Sequence, residues 1–164
     1  MTRSAVTVAI LTAALVHPAI GRARGLDYWI PSGWTAETQH DETNPGEIEG
    51  LVLHDPDGRE RIRVVILSNP SGFERTGYSP VKGGLEKASC ESAGHEMVEV
   101  AGGTGIAETV LCSSDDHDEV LETVRAHVGG ATLHIRFVSP SPDDHEVDQA
   151  TFRGFLRRMD VLAI

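Results

Sequence analysis

Apolar and polar residues alternate in "RERIRVVIL" at 59–67, with Ile62, Val64 and Ile66 on one face and Arg61 and Arg63 on the other. A period of two marks a half-buried strand. The apolar run "GLVLHD" before it is a partner strand, and "DPDG" at 55–58 is the tight turn that closes the hairpin. A second hairpin follows from "EVLETVRAHV" and "ATLHIRFV", joined by Gly129-Gly130, a residue pair that tolerates the positive φ of a two-residue turn. In it Leu133, Ile135 and Phe137 alternate inward. Counting about the turn sets His127 opposite Thr132 and His134 diagonal to His127. Residues 97–100 and "IAETVLCS" predict two further strands, with Ile106, Val110 and Cys112 sharing a face and "GGTG" at 102–105 as their turn. Near the start, "LDYWIPSGWTAET" reads as a short strand, a Pro-Ser-Gly turn and a second short strand, and residues 39–49 read as a polar loop.

Two stretches change period. A helix is expected from Ser79 as N-cap, with Pro80 in its first turn and Val81, Leu85, Ala88 and Ser92 on one side. The chain closes with "SPSPDDHEVDQATFRGFLRRMDVLAI", where Asp143 or Asp144 caps a helix and Arg157 and Arg158 lie near its end. Acids first and bases last complement the helix dipole. Phe152, Phe155, Leu156 and Met159 form the i, i+3, i+4, i+7 stripe of a helix laid on a sheet. The expected class is α+β: a twisted antiparallel sheet flanked by helices, with the C-terminal helix packed on it.

The first residues stand outside this pattern. "MTRSAVTVAILTAALVHPAIGRARG" places Arg3 before an apolar run and small residues after it, the order of a secretory signal. The run is shorter than the roughly 20 residues that span a bilayer. The expected division is a signal over 1–23 and one domain over 24–164, with Gly21 as a second cleavage position and no membrane anchor after cleavage. A periplasmic or secreted location follows from it. In that setting Cys90 and Cys112 are expected to form a structural disulfide. Buried thiols or a redox pair are the alternatives, but reactive pairs sit close together as C-x-x-C.

The formal net charge is −11 over 164 residues. Such a surface repels phosphate backbones, which disfavours nucleic acid and suits a basic protein partner.

Two acidic clusters surround histidines, "SSDDHDE" at 113–119 and "DDHE" at 143–146. The first reads as a hairpin loop and the second as a helix start, both places where Asp and Ser satisfy backbone groups. A calcium loop would need spaced oxygens, and the twelfth position from Asp55 or Asp115 is Ile66 or Ala126. His117, His127 and His134 are the candidate metal ligands, with Glu122 or Asp118 as a carboxylate to complete a zinc site. Asp115, Asp116, Asp118, Glu119 and Tyr78 are the candidate partner-binding residues. No catalytic residue is assigned: no G-x-S-x-G elbow occurs, and "GGTG" lacks the Lys-Ser/Thr of a phosphate loop. No cofactor is expected.

The order of elements, with "DYWIPSGW" at the start and "FRGFLRRM" at the end, resembles the PsbP-like superfamily. That group includes the extrinsic photosystem subunit, the Ran-binding Mog protein and exported bacterial DcrB-like proteins. Pro31, Gly33 and Trp34 match its opening P-x-G-W turn, and Phe155 with Met159 its closing helix. The resemblance implies a sheet between helices and a non-enzymatic accessory or binding role, with no catalytic residues to transfer. Some exported relatives are immunity proteins that block toxins delivered by type VI secretion, and an acidic inhibitor of a basic effector would suit that role. Three expectations result: an exported module acting by protein–protein contact, an immunity protein, or a metal-binding protein or metal-dependent hydrolase.

Overall fold

The computed structural model describes residues 19–23, 25–39, 47–67, 89–113 and 118–162. Seven strands make one antiparallel sheet in the order β3-β4-β5-β9-β8-β7-β6. They are β3 (Thr35–Gln39), β4 (Glu47–His54), β5 (Glu60–Leu67), β6 (Ser89–Val100), β7 (Gly103–Ser113), β8 (Asp118–Val128) and β9 (Ala131–Ser139). A small sheet sets β2 (Leu26–Ile30) between β1 (Ala19–Ala23) and β10 (Asp160–Val161). One helix, α1 (Pro142–Arg157), packs on β6, β8 and β9 and also touches β2.

Local chemistry accounts for the hairpins. At 55–58 the Gly58 N–H donates to the Asp55 carbonyl at 2.9 Å, and Asp55 Oδ1 accepts from the Asp57 and Arg59 amides. Gly129 and Gly130 both take positive φ, and His127 pairs with Thr132 as the count about the turn requires. The β6–β7 turn differs from expectation. Ala101 and Gly102 form it, at φ 49° and 74°, while Gly103 and Gly105 belong to β7. The Ala101 N–H donates to the Leu156 carbonyl, which fixes this turn against the end of α1. Gly105 is needed for a close approach, because a Cβ there would lie 2.8 Å from the Arg125 carbonyl oxygen.

The core lies between α1 and one face of the large sheet. Leu51, Leu53, Ile62, Val64, Leu133 and Ile135 are buried there, and Phe152 stacks on Phe137 with centroids 4.6 Å apart. Ser141 caps α1, not Asp143 or Asp144. Its extended backbone leads into Pro142, and its hydroxyl accepts from the Asp144 N–H at 3.2 Å. The two aspartates fall in the first turn, where they still complement the dipole.

Two further expectations are corrected. Arg61 does not share the outer face with Arg63: a bulge between the Leu53–Ile62 and His54–Glu60 pairs makes Arg61 the extra residue. Bulges re-aim side chains, and Arg61 turns to the helix side, where it meets Asp148. Ile106, Val110 and Cys112 share a face as expected, although the buried side of β7 switches along the strand, so Ile106 is 54% exposed while Cys112 is buried. The helix expected from Ser79 lies outside the described residues up to 88. From Ser89 the chain is strand, with Ser92 paired to Val110. "Flanked by helices" therefore overstates the architecture: among the described residues a single helix covers the sheet.

Cys90 and Cys112 are joined by a disulfide and stand directly opposite each other on β6 and β7. The last five residues of the expected signal, β1, pair with β2, and the Tyr28 ring lies over Gly21, where a Cβ would be 2.3 Å from it.

Candidate functional site

A serine, a histidine and an aspartate meet where the start of α1 crosses the end of β9. Ser139 Oγ lies 3.2 Å from His145 Nδ1 and donates to Asp148 Oδ2 at 3.4 Å. A nucleophilic triad needs the histidine between the serine and the acid. Here the serine stands between the other two and is fully buried. Arg61 completes the group, donating to Asp55, Asp148 and the Val138 carbonyl. Burial pushes the Asp55 carboxyl up, but donation from the Arg59 amide and the Arg61 guanidinium outweighs it and holds Asp55 below the usual range. The arrangement ties the helix, the first hairpin and β9 together.

A second buried polar group anchors the middle of α1. Glu122 is 0% exposed; Gln149 Nε2 donates to its Oε2 at 3.3 Å, and Arg153 faces its Oε1 as an ion pair without hydrogen-bond alignment. Burial raises the Glu122 carboxyl above its ordinary value, although Arg153 and Gln149 pull the other way. Arg153 also reaches Glu96, so one guanidinium binds α1 to β6 and β8.

The acidic loop is only partly described. Asp118 opens β8 opposite Ser113, and Glu119 stands opposite Cys112. Asp115, Asp116, His117 and Tyr78 lie outside the described residues.

His127 and His134 are placed as the hairpin count required, diagonal on the outer face. The described residues bring no group of three or more His, Cys, Asp or Glu within reach of one ion. Arg125 is the direct partner of His134. Burial and that neighbouring guanidinium lower His134 to about 4. A cation held at His134 would meet the same repulsion.

These histidines line an open shelf of about 430 Å³ on the outer face of β6 to β9, together with Met97, Ile106, Arg125 and Thr132. Met97 and Ile106 are a direct cross-strand pair, 68% and 54% exposed. Neither is among the candidate site residues that the sequence pattern suggests. The signal was present: Met97 alternates in step with His95 and Glu99, and Ile106 with Thr104 and Glu108, so each is an apolar residue on a polar face. Val52, Val65 and Leu121 are also buried on this second face, whereas at its β6 end Met97 and Ile106 are exposed.

No protein-family model matches the chain, and no curated protein matches it in sequence. Among solved structures, the solution structure of cyanobacterial PsbP (CyanoP) from Synechocystis sp. PCC 6803 is similar at a TM-score of 0.53 and 10% identity, covering 92% of this chain and 95% of that one. A Pseudomonas aeruginosa protein of unknown function, PA94, is similar at a TM-score of 0.40 and 11% identity, covering 84% of this chain and 92% of that one. The first likeness supports the PsbP-like fold expected from the order of elements, and at this identity it extends to the fold alone. The second is too distant to carry an argument.

Proposed function

We propose that this chain is an exported binding module that acts by contact with another protein. The observation that carries the reading is the exposed Met97–Ile106 pair on the open end of the outer sheet face. Apolar side chains exposed side by side and rimmed by polar neighbours offer a surface that a protein partner can cover. The polar groups beneath α1 support it from the other side: Ser139, His145, Asp148, Glu122 and Arg153 are engaged in holding α1 to the sheet.

Export is supported by the leader-like order of the first residues and by the Cys90–Cys112 disulfide, which suits an oxidising compartment. Among the described residues no helix is long and apolar enough to cross a membrane. The net charge of −11 favours a basic partner.

The test uses the chain as bait in envelope extract at low and high salt. A basic protein retained at low salt and weakened at high salt is the expected result. Nothing retained at either salt strength would contradict the reading.

A further inference from the structure

β6 closes one edge of the large sheet. One side of it pairs with β7, and among the described residues no strand pairs with the other. An unpaired edge carries a row of N–H and C=O groups that can template a further strand. The composition of this edge decides what can add to it. β6 holds Glu91, Glu96 and Glu99 with no lysine or arginine. Two copies paired through β6 would bring these glutamates together, and like charges across a ladder destabilise it. A register shift between Ser92 and Gly94, where Gly94 has φ 146°, breaks the run and leaves 94–100 as its regular part.

Within 94–100, Glu99 on the outer face favours a cationic strand. We propose that residues 94–100 of β6 are a docking edge for an extended segment of a partner protein, with lysine or arginine at Glu99 and an apolar side chain against Met97. This rests on the protein-contact reading and specifies the surface and the partner's chemistry. Alternate residues of an added strand share a face. A cationic residue beside Glu99 therefore places the residue two positions away beside Met97, on the outer face that holds the shelf. On the other face Val98 and Val100 are buried and Glu96 already holds Arg153, which leaves the discrimination to the outer face. Main-chain bonds would supply affinity, and the alternating side chains selectivity.

The experiment titrates three nine-residue peptides into isotope-labelled full-length chain and follows backbone amides by NMR. One alternates lysine with valine, one alternates glutamate with valine, and one is the lysine peptide with alternate amides N-methylated along one edge. Saturable shifts confined to 94–100 and the adjoining part of β7 are expected with the lysine peptide. Its binding should be at least tenfold tighter than that of the other two, and at least tenfold weaker to Glu99→Lys. No saturation up to millimolar peptide, equal binding of all three, shifts centred on β3 or on Asp118 and Glu119, or a dimer paired through β6 would each overturn the proposal. A Glu99→Lys bait that keeps the same envelope partner overturns the edge alone and leaves the binding-module reading standing. Wild-type bait that retains nothing overturns the reading itself.

Discussion

Arg153 leaves α1 as a cation and meets the fully buried Glu122, so removing it would strand a carboxylate in the core. Breaking a buried pair from one side costs about 3–5 kcal/mol, whereas replacing both partners with apolar groups is often near neutral. Arg153→Met should therefore destabilise by about 3 kcal/mol in urea unfolding, and Glu122→Leu with Arg153→Met by far less; equal losses would refute the pairing. His134 gives a prediction in pH. It stays neutral in the fold down to about 4, while the unfolded side chain takes up its proton near 6.5. The unfolded state thus binds more protons between those values, and stability should fall as pH drops from 6.5 towards 4. His134→Gln should flatten the urea midpoint across that window, and an unchanged slope would count against the burial. The carboxyl of Glu60, held low by donation from Arg63 against the effect of burial, with Arg136 assisting, loses its own contribution as pH falls from its ordinary value of 4.5. The histidine positions were legible because a two-residue turn fixes register. The side taken by Arg61 was not, because a bulge interrupts the period on which the reading relied.

Elements formed by neighbours in sequence were the readable ones. Both hairpins and the stripe of α1 follow from local alternation and turn residues, and the stripe predicts its own energetics. Phe152→Ala removes a ring stacked on Phe137 and should cost about 3–5 kcal/mol. The disulfide acts on the unfolded chain: closing a loop of 22 residues corresponds to about 3 kcal/mol by the chain-entropy account. Cys90→Ser with Cys112→Ser should lose about that much in chemical unfolding, and reductant should do the same to the wild-type chain. How elements join was less legible. β2 and β3 are separated only by residues 31–34, yet they enter different sheets, and the pairing of β5 with β9 unites hairpins far apart in sequence. Such choices depend on which buried faces fit, as where Leu26 and Tyr28 join the core beneath α1. A run of strand residues does not record them.

For the whole molecule, the sequence supplied charge sign, a disulfide and a fold likeness, and the structure added a place. Acidic charge alone points to a kind of partner without a surface. The sheet order makes β6 an edge, and the pairing of Met97 with Ile106 gives that edge an apolar face. The shelf lies at the Gly129-Gly130 end of the sheet, whereas Asp118 and Glu119 begin β8 at the other end. Contact at the shelf and contact at the acidic loop are thus distinct alternatives. Photocrosslinking in intact cells separates them most directly, with a photoreactive phenylalanine analogue placed at Ile106 and, as an exposed apolar control on α1, at Val147. A single protein adduct from position 106 that is missing from position 147 is the expected result. Equal labelling from both positions, or no adduct from 106, would contradict the account.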